Sequence, residues 1–181
     1  MNTKKILAAA LPILATTGLF LWASSKSQAQ NLETVPEVDL KKYAGTWFEI
    51  AAIPQSFEKG CACTKATYTP TDQGYIIIEN TCEKPEKNKT TTVKGKAFVE
   101  EGSGNAKLKV QFFWPFKGKY WIIDLAQDYS YAVVGHPNRK YLWILSRTPS
   151  ITEELYNHLL QGIAEKGFDL SKIEKTPQCE E

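Results

Sequence analysis

The sequence predicts an all-β fold, an eight-stranded antiparallel up-and-down β-barrel with one C-terminal α-helix packed outside it. Eight short segments rich in β-branched and aromatic residues lie between residues 46 and 146, and turn residues separate them at regular spacing. One segment, 107–114, has apolar residues at its even positions and polar residues at 107, 109 and 111. Antiparallel strands with one wet face can close into a barrel, which removes exposed sheet edges.

The predicted strands follow one another along the chain. They are 46–53, 64–69, 75–82, 90–100, 107–114, 119–125, 129–135 and 141–146. One helical turn is predicted ahead of them, at 38–43. A barrel of eight strands has an interior wide enough to hold one small ligand.

A helical pattern follows the last strand. Ser150 is predicted to cap this helix, because Glu153 lies three residues later and would complete a capping box. Gly167 is a natural residue just past the helix end. The apolar residues have helical spacing, which predicts packing against the outer wall of the barrel. They are Leu155, Tyr156, Leu159, Leu160 and Ile163.

The first 29 residues are predicted to be a secretory signal peptide, and residues 30–181 a single domain. Lys4 and Lys5 precede the apolar run 6–22, and Ser27-Gln28-Ala29 offers small residues for cleavage before Gln30. An uncleaved N-terminal anchor is the alternative, because the apolar run is long for a signal peptide. The predicted location is therefore exported: periplasm, lumen or extracellular space.

Export changes the charge balance of the chain. Three of its 22 Lys and Arg residues lie in the leader, which leaves 19 basic against 20 acidic residues in 30–181. A nearly neutral domain has no electrostatic attraction for nucleic acid, so no nucleic-acid partner is expected.

The four cysteines, Cys61, Cys63, Cys82 and Cys179, are all in the predicted mature chain. An even number behind an export signal indicates two disulfides, although four cysteines allow three pairings and the sequence does not choose among them. The Cys-Ala-Cys spacing at 61–63 is not typical of a zinc site, so we expect no metal and no cofactor.

Three short motifs resemble those of the lipocalin family. Residues 43–51, Tyr-Ala-Gly-Thr-Trp-Phe-Glu-Ile-Ala, match its G-x-W motif, and residues 141–149, Tyr-Leu-Trp-Ile-Leu-Ser-Arg-Thr-Pro, contain its signature arginine. Gln127-Asp128-Tyr129 is similar to its T-D-Y motif, with Gln in place of Thr. The resemblance covers about residues 37–175 and is strongest to the branch of bacterial lipocalins and apolipoprotein D.

The resemblance implies specific structural roles. Gly45, Trp47 and Arg147 would form the barrel floor, where the guanidinium stacks on the indole. It also implies that Cys63 pairs with Cys179, which leaves Cys61 to pair with Cys82.

The resemblance further implies a ligand in the barrel. An inward Arg147 would put Trp143 and Tyr141 on the same inner face by alternation. The fifth strand would present Val110, Phe112 and Trp114, and Tyr131 would share the orientation of Tyr129. The expected partner is a small hydrophobic molecule: a fatty acid, lysophospholipid, retinoid or carotenoid. The alternative is that these side chains simply fill the interior.

The segment Phe113-Trp114-Pro115-Phe116 is predicted to form a hairpin at the barrel mouth. It is expected to pack as a hairpin or to make transient contact with a membrane. The protein is expected to be a monomer.

An exported binder for transport, storage or membrane-stress protection is the predicted function, and a lipocalin-fold enzyme acting on a lipid or isoprenoid is the alternative. All four cysteines can pair, which leaves no spare thiol. The sequence shows no clustered carboxylates at inward positions and no nucleophile–His–acid arrangement. We therefore expect no enzymatic activity.

Overall fold

The computed structural model describes residues 31–179, so the predicted signal peptide and its cleavage site lie outside the described residues. The strands are β1 (Gly45–Ala52), β2 (Ala62–Pro70), β3 (Ile76–Lys84), β4 (Lys89–Val99), β5 (Lys107–Phe113), β6 (Phe116–Leu125), β7 (Tyr131–Gly135), β8 (Leu142–Ser146) and β9 (Glu174–Lys175). The helices are α1 (Leu40–Tyr43) and α2 (Glu153–Glu165), with single 3-10 turns at Ser56–Glu58, Pro85–Lys87 and Leu170–Lys172.

The sheet closes on itself. Strands β2 to β8 pair in sequence order and antiparallel, and β1 pairs with both β2 and β8. This confirms the predicted eight-stranded barrel with one helix outside. Strand β9 was not predicted, since two residues are too few to show a periodicity. It pairs with Ala51 and Ala52 of β1.

The barrel has two different ends. We call the end where β1 begins the floor, and the opposite end the mouth. The connections β1–β2, β3–β4, β5–β6 and β7–β8 all lie at the mouth, because consecutive strands run in opposite directions. Helix α1 lies at the floor, directly before β1.

Alternation along the strands divides the apolar residues into two clusters. The inner cluster lies inside the barrel and includes Trp47, Tyr68, Ile78, Leu108, Tyr120 and Leu145. The outer cluster lies between the barrel wall and α2 and includes Ile50, Trp121, Leu142, Ile144, Leu159 and Ile163. The predicted stripe of α2 therefore packs on the outside of the barrel.

Helix α2 begins two residues later than the capping-box pattern predicts. Its N-cap is Thr152, whose hydroxyl accepts a hydrogen bond from the backbone N–H of Leu155. This start places Glu153 and Glu154 in the first turn, where negative charges interact favourably with the helix dipole. Gly167 has a φ of +82°, as expected just past the helix end. Within residues 31–179, none of the helices has the length and apolar character needed to span a membrane.

Two disulfides staple the mouth half of the barrel. Cys61 is bonded to Cys82, and Cys63 is bonded to Cys179. These are the two pairs that the resemblance implies. The second bridge holds the C-terminal tail between β1 and β2, where Cys63 donates its backbone N–H to the carbonyl of Pro177.

Candidate ligand-binding site

The floor of the barrel is built around Arg147 and Trp47. The Arg147 guanidinium lies 3.8 Å from the centroid of the Trp47 ring, and the Trp47 side chain is fully buried. Arg147 also donates hydrogen bonds to the backbone carbonyls of Lys42, Tyr43, Ala44 and Thr46 at 2.7–3.1 Å. One side chain thus satisfies carbonyls at the end of α1 that the helix leaves unpaired.

The chain turns sharply between α1 and β1 at Gly45. This residue has a φ of +93°, a conformation that L side chains rarely adopt. The turn allows the Trp47 indole to donate its N–H to the carbonyl of Tyr43 at 2.8 Å. Gly45, Trp47 and Arg147 therefore meet at one end of the barrel.

Three tyrosines fill the interior above the floor. The hydroxyl of Tyr120 lies 2.8 Å from those of Tyr43 and Tyr68. Burial raises the pKa of Tyr68 to about 12 and raises the pKa values of Tyr43 and Tyr120 well above the ordinary value. Beside them a cavity of about 10 Å³ has room for about one water molecule. In this part of the barrel side chains do fill the interior.

Aromatic side chains from β5 and from β8 face the interior nearer the mouth, and we call Phe112, Trp143 and Tyr141 together the aromatic wall. Val110, Phe112 and Trp143 pack against the inner cluster. The Tyr141 ring stacks on Trp143 with centroids 6.3 Å apart. Four of the six predicted lining residues therefore lie on the inner faces of β5 and β8 or, for Tyr141, directly before β8.

Tyr131 does not belong to this lining. Its side chain packs against the outer cluster, whereas its neighbours Ala132 and Val134 belong to the inner one. The prediction that Tyr131 shares the orientation of Tyr129 is wrong, because Tyr129 lies in a turn with a φ of +61° and β7 begins only at Tyr131. Alternation cannot be carried through a left-handed residue.

Trp114 also lies outside the interior. Strand β5 ends at Phe113, and its register with β6 shifts between Val110 and Phe113. Trp114 is therefore in the turn, with 87% of its surface exposed, rather than on the inward face that strict alternation predicts. Phe113 and Phe116 beside it are also exposed.

Two carboxylates occupy the mouth half of the barrel, contrary to the expectation that no clustered acids point inward. Glu49 is 7% exposed, and its carboxylate accepts a hydrogen bond from the Thr176 hydroxyl at 2.6 Å. Glu58 enters from the β1–β2 connection, and its Oε1 accepts a hydrogen bond from the indole N–H of Trp143 at 3.2 Å. Glu49 is two residues after Trp47, so alternation along β1 contained a signal for it.

The environment changes the acidity of both groups. Burial, together with the negative charge of Glu49, raises the pKa of Glu58 to about 7, although the hydrogen bond from Trp143 acts in the opposite direction. Burial also raises the pKa of Glu49, against the hydrogen bond from Thr176. Removal from water destabilises the charged form of a carboxyl group.

Further polar atoms line the same region. Thr64 and Asn80 lie on the inner faces of β2 and β3, by alternation with inner-cluster residues Tyr68 and Ile78. Thr64 Oγ1, Asn80 Oδ1 and Glu58 Oε2 are buried and have no hydrogen-bond partner among the described residues. The mouth half of the interior therefore combines an aromatic wall with unpaired acceptors.

Comparison with known proteins identifies the family of the chain. Residues 38–178 match the family model of the lipocalin-like domain. The chain is 39% identical over 166 residues to the outer membrane lipoprotein Blc of Escherichia coli K12, covering 90% of this chain and 94% of the relative. It is 37% identical to temperature-induced lipocalin-1 of Arabidopsis thaliana (85% and 87% covered) and 37% identical to mouse apolipoprotein D (93% and 95% covered).

Solved structures show the same fold. Insecticyanin from the tobacco hornworm Manduca sexta superimposes with a TM-score of 0.67 at 21% identity, covering 82% of this chain and 85% of that one. The amine binding protein of Rhodnius prolixus, solved as its tryptamine complex, superimposes with a TM-score of 0.58 at 20% identity (80% and 83% covered). By its family model, its relatives and its closed barrel, the chain belongs to the lipocalin family.

Proposed function

We propose that the chain is an exported lipocalin that binds a small hydrophobic ligand in the mouth half of its barrel, for transport, storage or membrane-stress protection. The observation that carries this proposal is the aromatic wall of Phe112, Trp143 and Tyr141 above a tyrosine-filled base. A ligand in this position would bury its apolar surface against these aromatic side chains, and the closed floor would keep it from passing through the barrel.

The relatives support a binding role. One structural neighbour was solved with tryptamine bound, and Blc is an outer membrane lipoprotein, which supports a location outside the cytoplasm. Two disulfides in the described chain fit an oxidising compartment. We infer a monomer that works after removal of residues 1–29.

Affinity would come mainly from burial of apolar surface, at about 25 cal/mol per Å². Such binding has little directional preference, so a range of chain-like or ring-like ligands should compete for the site. Fatty acids, lysophospholipids, retinoids and carotenoids belong to this range.

Binding is favoured over catalysis by the state of the cysteines. All four are bonded in two disulfides, so the folded chain offers no thiol nucleophile. The raised pKa of Glu58, about 7, would suit a general acid, so product analysis after incubation with a lipid tests the enzyme alternative.

Replacement of Trp143 tests the site. Trp143→Ala should weaken binding of a fluorescent fatty acid by about tenfold, because it removes the indole that faces the interior from β8. Tyr131→Ala is the matched control, since it removes an aromatic ring from the outer face. Fluorescence titration of both variants decides the matter, and equal affinities would exclude Trp143 from the site.

A further inference from the structure

We propose that the mouth half of the barrel contains a head-group subsite for a hydrogen-bond donor, so that the ligand is an aliphatic amine or amino alcohol with a long apolar chain. The inference rests on the proposed binding of a hydrophobic ligand in the barrel and adds the chemistry of its polar end. The subsite is formed by Glu58, Glu49, Thr64 and Asn80.

Three buried oxygens without a hydrogen-bond partner in the described chain come from three elements of the barrel. Glu58 Oε2 comes from the β1–β2 connection, Thr64 Oγ1 from β2 and Asn80 Oδ1 from β3, and none has a partner within residues 31–179. Thr64 is only 8% exposed. The paired residues Phe48 and Lys65 place Thr64 opposite Glu49 when their register is extended by one step.

Unpaired buried acceptors are costly, because each has lost its bonds to water without gaining others. The indole N–H of Trp143 is already directed at Glu58 Oε1, and the Thr176 hydroxyl is already directed at Glu49 Oε1, so neither of these donors serves the three unpaired oxygens. A ligand that brings N–H or O–H groups would satisfy the remaining oxygens. A primary ammonium has three donors and no acceptor, which matches the set.

Charge acts in the same direction. Neither Glu49 nor Glu58 forms a salt bridge with a lysine, arginine or histidine in the part of the chain that the structure describes. The two carboxylates are close enough for the charge of Glu49 to affect Glu58. A ligand cation would offset one of the two negative charges, whereas a ligand carboxylate would add a third.

The position of Glu58 joins this polar set to the aromatic wall. Trp143 holds one oxygen of Glu58 and at the same time packs on the inner cluster. The tyrosine-filled base closes the space below. An amphiphile would therefore place its polar end against Glu58 and its chain against Trp143 and Phe112 inside the barrel.

Calorimetric titration with three dodecyl probes tests the subsite. Dodecylamine, dodecan-1-ol and dodecanoate carry the same chain, and at about pH 8 the amine is a cation and the acid an anion. The wild type should bind dodecylamine at least about tenfold more tightly than dodecanoate, since hydrogen bonds from an ammonium to a carboxylate are stronger than those between neutral groups.

Variants assign the preference to the subsite. Glu58→Gln should reduce the amine-to-acid ratio to roughly threefold or less, and Thr64→Val should weaken amine and alcohol binding about two- to tenfold. Glu86→Gln removes an exposed charge at the same end of the barrel and should leave the ratio unchanged. The indole N–H NMR signal of Trp143 should shift when dodecylamine binds.

The outcomes separate this inference from the proposed function. If dodecan-1-ol and dodecanoate bind but the amine is not preferred, or if Glu58→Gln leaves all three affinities unchanged, water satisfies the unpaired oxygens and the head-group subsite is wrong. If none of the three probes binds to the wild type, the proposed function itself fails.

Discussion

Single residues at the floor show how much one side chain can organise. Arg147 contacts Trp47 and four backbone carbonyls that come from three consecutive residues and Thr46. No lysine could replace it, because an ammonium cannot donate in the planar fork that reaches several carbonyls at once. The floor is therefore a polar cap on an apolar interior.

Glu58, in contrast to Arg147, lowers the stability of the folded chain when its carboxyl group is ionised. Its folded pKa of about 7 lies above the ordinary 4.5, so the folded chain binds this proton more tightly than the unfolded chain does. The contribution of Glu58 to stability therefore falls as the pH rises from about 4.5 to about 7, and the penalty is complete above that range.

Glu58→Gln should remove this penalty and keep an acceptor for Trp143. We expect the variant to be more stable than the wild type by roughly 1–3 kcal/mol at about pH 8, and equally stable near pH 4. Urea unfolding at both pH values measures the difference. Glu86→Gln, which changes an exposed residue, should unfold like the wild type, and a Glu58→Gln variant that loses stability at pH 8 would contradict the assignment.

Among the strands, β4 and β5 pack closely at Gly95 of β4. The Phe112 ring lies over Gly95, and a Cβ built there would come within 2.7 Å of the ring and 2.8 Å of the Gln111 carbonyl oxygen. Because Gly95 has no side chain, the Phe112 ring has room to lie over it.

Gly95→Ala should displace Phe112 and strain the β4–β5 pairing, at a cost of about 1–3 kcal/mol. Gly118→Ala is the matched control on β6, because its Cβ would meet Val110 at an ordinary 3.7 Å. It should be neutral or slightly stabilising, by up to about 1 kcal/mol. Thermal unfolding compares the two, and equal losses would exclude the close contact as the cause.

The β5–β6 hairpin exposes aromatic side chains to solvent. Trp114 is 87% exposed and Phe116 78% exposed, at the mouth through which a ligand would pass. We propose that this hairpin makes transient contact with a membrane, as an amphipathic aromatic lip would.

Trp114→Ala should reduce co-sedimentation with phosphatidylcholine vesicles by about tenfold, because burial of an aromatic ring contributes on the order of 1.5–3 kcal/mol. Leu170→Ala, an exposed apolar residue after α2, is the control and should have little effect. Undiminished sedimentation of the Trp114 variant would show that the hairpin only packs.

At the scale of the whole molecule, the C-terminal tail completes the barrel. Its bridge from Cys179 to Cys63 spans 116 residues, and Thr176 and Gln178 hydrogen-bond to Glu49. The tail therefore closes the barrel wall beside the candidate site and covers one of its carboxylates.

Removal of this bridge should be more damaging than removal of the other. In the chain-entropy model, Cys63→Ala/Cys179→Ala should lose about 4–5 kcal/mol, roughly 1.5 kcal/mol more than Cys61→Ala/Cys82→Ala, whose loop spans 21 residues. Urea unfolding of both double variants measures this order. The reverse order would show that strain or residual structure outweighs loop entropy.

The pattern of residues was enough to predict the eight strands and the outer helix, and the resemblance of three short motifs implied the family and the residues of the floor. These properties follow from local patterns: alternation within a continuous strand, helical spacing within α2, and the motifs around Trp47 and Arg147. Val110, Phe112 and Trp143 were predictable for the same reason, because each lies within β5 or β8 and packs against the inner cluster, although the β5–β6 register shifts beside Phe112.

The positions of Tyr131, Trp114 and Glu58 depend on the three-dimensional arrangement of the chain. Tyr131 faces outward because a left-handed turn precedes it, and Trp114 is exposed because the β5–β6 register shifts before it. Glu58 reaches the interior from a loop, through a contact with Trp143 that spans 85 residues of sequence. Such contacts depend on where distant segments come together in space. The periodicity of residues along a single segment does not predict them.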